Sequence, residues 1–389
     1  MPEQTPASAP EVIPSPLIEV TGPPRERGRQ YGEQAADRIR RGIEHYSEQL
    51  IAKALTWADI ADLAQTFEPT VAAFDPAYVE EMKGIAEGAG VDYAAIMMLN
   101  ARTEILKLAD RREAGPSDGC TGLIALPSAT ADGRLIHAQN WDWKAECAET
   151  TVVLKVTRDD GPDFLTYTEA GALGRSGMNA AGISITANYL ESDRDYRDLG
   201  VPLPFIRRKV LECAQLVDAM KCVYVTRKSC ANNMMISHVG GVAINFECAP
   251  DETFPVKARD GLLVHANHFQ SPVALGKLVE CGVRNMPDSL YRDMRVDGAL
   301  RPQIGTITRE AVAEALLDDF ETPFSVCRPP RPNSQNNLTA TVATVLMEPA
   351  KGRMYVAMLP AFKPEFVSYA LEMEVPEANA GGPRAVFPD

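Results

Sequence analysis

The texture of this chain changes abruptly at one place, and that change constrains the fold more than any other feature. Residues 17–108 read as mainly helical. Over 26–55 the apolar positions Ile39, Ile43, Tyr46, Leu50 and Ile51 recur at the spacing that lines one face of a helix. Residues 57–74, 76–87 and 92–108 read as further helices, with Asp75 as a cap and Pro76 in a first turn. A charged loop, 110–119, then ends in Gly115-Pro116-Ser117-Asp118-Gly119. After it come short strand-like runs: 120–126, 134–140, 151–157, 164–169, 182–188, 234–246, 261–266, 338–347 and 353–359. Residues 203–221 and 308–320 interrupt them as helices, the second capped by Thr308. Helices first and strands after favour an α+β layering over a doubly wound parallel sheet.

With 389 residues, 45% of them apolar, there is ample material for one large domain or two smaller ones. The formal net charge of −14 opposes binding to nucleic acid or to an anionic membrane, so neither is expected as a partner. No run of about 18 apolar residues suggests a membrane span. Residues 1–16 are rich in Pro, Ala, Ser and Glu and read as a disordered tail, and the chain from 376 onward also reads as a tail. The eight cysteines include no Cys-x-x-Cys pair, a pattern that suits free thiols in a reducing cytoplasm.

The stretch that carries chemistry is Asp118-Gly119-Cys120-Thr121-Gly122, followed by Gln139-Asn140-Trp141-Asp142. A cysteine that opens a strand after a glycine loop can be held rigidly and still be reached. Polar residues close other strands, in Thr186-Ala187-Asn188-Tyr189 and His265-Ala266-Asn267-His268, and Pro323-Phe324-Ser325-Val326-Cys327-Arg328 follows a helix. Each taken alone has an ordinary structural reading: a buried thiol for Cys120, a turn residue for Asn267, a surface ion pair for Arg328.

Taken together with Glu169-Ala170-Gly171, Met178-Asn179-Ala180-Ala181-Gly182 and the N-terminal Gly22-Pro23-Pro24-Arg25-Glu26-Arg27-Gly28, these runs resemble the acyl-coenzyme A:6-aminopenicillanic acid acyltransferase family. Its members are N-terminal nucleophile hydrolases related to choloylglycine hydrolases. The similarity reaches from about 18 to 359. It implies a four-layer αββα sandwich with an N-terminal helical segment. It also implies self-cleavage between Gly119 and Cys120, leaving 17–119 (with its tail) as an α-subunit and 120–389 as a catalytic β-subunit in a heterodimer. No cofactor or metal is implied.

The roles follow from the same resemblance. Cys120 is the nucleophile, and its freed α-amine, with a reference pKa of about 7.7–8.0, acts as its base. Asp142 orients that amine, Arg328 favours the thiolate, and Asn267 donates to the oxyanion. A backbone N–H near Asn188 is the second donor. Ser325 supports maturation or the acyl pocket, whose other walls are Trp141, Tyr189 and Phe324. The substrate is a small amide, peptide-like molecule or acyl thioester. The nucleophile is followed by Thr121-Gly122 where the best-known member has two threonines, and 188–204 differs more, which leaves the substrate open.

Three rivals stand beside this reading. His265 and His268, with Asp142 or Glu247, would ligate zinc in a metal-dependent amidase. A papain-like pair would use His238 or His265 as the base for Cys120. An inactive relative would only bind acyl or peptide ligands.

Overall fold

The computed structural model describes residues 14–109, 119–332 and 338–374. The expected loop at 110–118, residues 1–13 and the C-terminal stretch from 375 lie outside them. Two stacked sheets form the middle. One has eight strands in the order Leu17–Val20, Thr151–Val156, Phe164–Glu169, Ser176–Asn179, Ile183–Tyr189, Asn232–His238, Val242–Cys248 and Thr253–Lys257. The edge strand Leu17–Val20 joins in parallel, and the other neighbours are antiparallel.

The second sheet runs Leu262–His265, Cys120–Ala125, Ile136–Lys144, Leu338–Glu348, Arg353–Met358 and Phe366–Ala370, with Arg331–Pro332 paired to the start of Leu338–Glu348. Helices Leu203–Leu211 and Leu216–Val225 cover the first sheet, together with the N-terminal helices. Helices Ser289–Leu300 and Arg309–Leu316 cover the second. The result is a four-layer αββα sandwich of α+β class.

Close approach between layers is bought by missing side chains at a few points. An added Cβ at Gly122 would stand 2.8 Å from Met235 Sδ of the facing sheet. Between the sheets His137 is fully buried, 3.0 Å from Ser184 Oγ and Ser237 Oγ and 2.8 Å from Thr186 Oγ1. Burial pushes its imidazole down to about 3, so it is neutral and its bonds are satisfied by hydroxyls.

Some expectations needed correction. The helix read over 26–55 breaks at Ala35, whose φ of −111° and ψ of 13° leave the helical range, giving Pro24–Gln34 and Ala36–Ile51. That over 203–221 breaks after Leu211 and resumes at Leu216. The disordered tail cannot extend to 16, because Ser15 is buried, its hydroxyl 2.7 Å from Thr151 Oγ1. Helix Ser289–Leu300 and strands Leu17–Val20, Ser176–Asn179 and Thr253–Lys257 were not foreseen.

Candidate active site

Cys120 opens a strand held on both sides. It faces Trp141 in the antiparallel pairing with Ile136–Lys144, while Gly122 faces His265 of Leu262–His265. Asp142 therefore lies one residue beyond the partner of Cys120. A bulge in the next strand, where the pairing passes from Thr341–Asp142 to Ala343–Trp141, sits beside the same pair. Bulges re-aim side chains; here Thr341 Oγ1 donates to Asp142 Oδ1 at 2.6 Å.

The backbone around Cys120 is held from several directions. Its N–H donates to Asn267 Oδ1 at 2.7 Å. The Gly119 carbonyl accepts from the Asp142 N–H at 3.0 Å. Arg292, from helix Ser289–Leu300, donates to the Cys120 carbonyl, Thr121 Oγ1 and Asn267 Oδ1, each at 2.8 Å. Asn267 Nδ2 in turn donates to the Tyr189 carbonyl at 2.8 Å. Arg328 Nε lies 3.3 Å from Asp142 Oδ2, and its Nη2 pairs with Asp288, which also holds Arg292 Nε at 2.8 Å. The two arginines thus share a carboxylate behind Cys120.

Burial raises the Cys120 thiol; Arg175 and Arg292 pull it down and Asp142 pushes it up. Burial also raises the Asp142 carboxyl against the pull of Arg328 and Arg292.

Cys120 lines a partly open cavity of about 130 Å³, roughly the room that takes one benzene-sized group. Trp141, Asp142 and Tyr189 line it as well. Helix Arg102–Ala109, which precedes the cysteine, supplies Arg102 and Leu106, and helix Leu203–Leu211 supplies Leu203 and Arg207.

Three expected residues take other places. The Asn188 N–H donates to Asn233 Oδ1 at 2.5 Å, and its side-chain amide donates to the His265 and Ala266 carbonyls, so it has no hydrogen left for an oxyanion. Asn188 ties sheet to sheet. Ser325 is fully buried and its hydroxyl donates to the Cys327 carbonyl, while Phe324 is half-exposed under the Arg331 guanidinium; neither lines the cavity. Arg292, Asp288, Thr341, Arg175 and Arg207 were not anticipated.

The histidines do not assemble a rival site. His265 Nε2 lies 2.8 Å from Glu247 Oε1 and its Nδ1 lies 2.9 Å from the Ala266 carbonyl, which occupies both nitrogens. Among the described residues no group of three His, Cys, Asp or Glu side chains is placed to hold a metal. His238 pairs with Ile183, at the far end of the strand from Tyr189.

Over residues 128–359 the sequence matches the model of the acyl-coenzyme A:6-aminopenicillanic acid acyl-transferase family. The chain belongs to that family. Among curated relatives, the acyl-coenzyme A:6-aminopenicillanic-acid-acyltransferase 40 kDa form of Emericella nidulans is 29% identical over 320 residues, 80% of this chain and 85% of its own. An uncharacterized protein of Archaeoglobus fulgidus is 24% identical over 79% of this chain and 58% of its own. Similar solved structures include a Caenorhabditis elegans N-acylethanolamine-hydrolyzing acid amidase ortholog, 16% identical, TM-score 0.41, covering 65% of this chain and 100% of that one. A mutant conjugated bile acid hydrolase from Clostridium perfringens is 14% identical, TM-score 0.43, covering 67% and 100%. No helix among the described residues of this acyltransferase-family chain is long and apolar enough to cross a membrane.

Proposed function

We propose that this chain is a self-processing N-terminal-cysteine amidohydrolase or acyltransferase, with Cys120 as its nucleophile. The observation that carries this is the hold on both atoms of one peptide bond. The Gly119 oxygen accepts from the Asp142 N–H, and the Cys120 nitrogen donates to Asn267, beside the thiol that would attack.

In maturation the Cys120 sulfur attacks the Gly119 carbonyl carbon. The developing oxyanion stays on the Asp142 N–H, the kind of preorganised donor whose loss typically costs about 2.7–4 kcal/mol. The C–N bond then breaks, the nitrogen takes up a proton and becomes a free amine, and Gly119 is left as a thioester on sulfur. Water hydrolyses it. This first cut lacks the amine base, because the nitrogen is still an amide.

In turnover the freed amine takes the thiol proton. The sulfur attacks the substrate acyl carbon and expels an amine or a thiol, and the acyl-enzyme passes its group to water or to another amine. Asn267 spends one amide hydrogen on Tyr189, which leaves the second for the oxyanion. Asp142, held by Thr341 and Arg328, orients the amine. The thiolate draws most on Arg175, then on the Asp142 N–H and Arg292.

Intact-mass analysis of freshly purified protein tests this. Two fragments dividing before Cys120 are expected from the natural sequence, and one full-length, inactive chain from Cys120→Ala. An active protein that stays in one piece, or a Cys120→Ala chain that still divides, sinks the proposal.

A further inference from the structure

Helix Ser289–Leu300 packs against strand Leu262–His265 and carries Ser289, Arg292 and Asp293 at a spacing of three and four residues, so the three share one side. Two of them hold Asn267 at once. Ser289 Oγ accepts from the Asn267 N–H at 2.7 Å, and Arg292 Nη2 donates to the Asn267 Oδ1 at 2.8 Å. One helix face therefore fixes both the backbone and the side chain of the residue that meets the Cys120 N–H.

Ser289 is fully buried. Its oxygen receives the Asn267 hydrogen, and its own hydroxyl hydrogen needs an acceptor. The one it meets among the described residues is His268 Nδ1, at 2.8 Å. Only a neutral ring with its hydrogen on Nε2 offers a lone pair there. The other side of the ring agrees with that tautomer. Nε2 lies 3.6 Å from Asp293 Oδ2, an oxygen that also accepts from Gln270 Nε2 at 2.8 Å. A line of groups thus runs from Asp293 through His268 and Ser289 to Asn267 and the Cys120 nitrogen. Its outer end meets water: the His268 and Asp293 side chains are 12% and 14% exposed, so protons reach the ring.

Resting on the reading of Cys120 as nucleophile, we infer that His268 and Ser289 are positioning residues for Asn267, and that they hold it correctly only while His268 is neutral. A proton on Nδ1 turns an acceptor into a donor. Ser289 Oγ then faces two N–H groups, and its own hydrogen is left buried without a partner. The serine shifts to relieve this and takes the Asn267 backbone with it. The Asn267 amide leaves its place beside the Cys120 nitrogen and the oxyanion. Burial draws His268 below the ordinary histidine range, helped by His265, stacked on it at 6.3 Å, and by Arg292, while Asp293 and Glu247 pull the other way. The neutral ring is therefore the form present near neutrality, and acidification removes it.

Two measurements on the full chain test this. In Cys120→Ala protein, NMR should show an unprotonated His268 Nδ1 near neutral pH, and the Asn267 amide resonance should shift with the titration of the His268 ring. In the natural chain, hydrolysis of p-nitrophenyl acetate gives kcat and KM. Ser289→Ala should lower kcat about tenfold with KM little changed. His268→Leu, which removes the acceptor, should do the same. His268→Asn places an oxygen where Nδ1 stood and should keep most of kcat. The ratio of natural to His268→Asn kcat should fall as the ring is protonated; the Cys120 amine acts equally on both and cancels. That ratio and the NMR titration decide the matter if Ser289→Ala does not fold. An Asn267 amide indifferent to the His268 titration, a hydrogen on Nδ1 of the neutral ring, or a ratio flat with pH overturns the inference. Coupled titration in a chain that neither divides before Cys120 nor releases nitrophenol would keep the link from His268 to Asn267 and sink the nucleophile instead.

Discussion

The Asn267 side-chain oxygen lies 2.7 Å from the Cys120 backbone nitrogen, across 147 residues of sequence. The same oxygen accepts from Arg292, so one amide group fixes both the Cys120 backbone and the arginine behind it. Asn267→Ala should leave the Cys120 N–H buried and unpaired and Arg292 Nη2 with only Met286 Sδ, costing about 1–3 kcal/mol of stability. If its amide also serves the oxyanion, kcat should fall by about 10²–10³. Denaturant melts and steady-state rates on the same preparation separate the two effects. A variant with unchanged rates removes Asn267 from the chemistry.

Gly119 lies under two guanidiniums. An added Cβ would come 2.8 Å from Arg292 Nη2 and 3.1 Å from Arg328 Nη2. These are ends of long side chains that can give way, so Gly119→Ala should fold. Its scissile carbonyl would move off the Asp142 N–H, and full-length chain should accumulate over time on a gel. Cleavage as fast as in the natural chain would show that the fit around Gly119 is irrelevant to processing.

Glu104 is fully buried and neither carboxylate oxygen has a hydrogen-bond partner. Burial raises its acid to about 7 from 4.5. The folded state therefore holds the proton more tightly than the unfolded one. That contribution is full below about pH 4.5 and is lost as pH rises through about 7. Glu104→Gln should flatten this part of the stability profile and make the protein more stable at pH 8, by up to about 3 kcal/mol. Chemical denaturation from pH 5 to pH 8 checks it; an unchanged slope counts against the buried acid.

Glu81 joins the two sides of the proposed cut. Its carboxylate accepts from Arg27 Nε at 2.6 Å, and from Arg208 Nη1 and Nη2 at 3.0 and 2.9 Å. Arg27 and Glu81 precede Cys120 and Arg208 follows it. Glu81→Gln leaves two buried cations short of charge and should cost about 3–5 kcal/mol. In processed protein the two fragments should separate at lower denaturant, as read by size-exclusion chromatography. Cleavage itself should still occur.

The division into a helical block and a strand block, the strand opening at Cys120 and the position of Asp142 were legible in the sequence. Each depends on residues near one another along the chain: turn chemistry at 115–119, then period-two runs on either side of a short turn. So did family membership, because short motifs in a fixed order survive in one dimension. Arg292 was invisible for the opposite reason. It sits in a helix as an ordinary charged residue, and only packing brings it to the Cys120 carbonyl 172 positions away. Asn188 misled because a polar residue at a strand end reads the same whether it faces a ligand or, as here, bonds the facing sheet. Local pattern placed the strand that opens at Cys120. The pairing of strands, a bulge at Thr341 and the docking of two helices decided which charges surround the sulfur, since electrostatics depends on distance in space, which the order of residues does not specify.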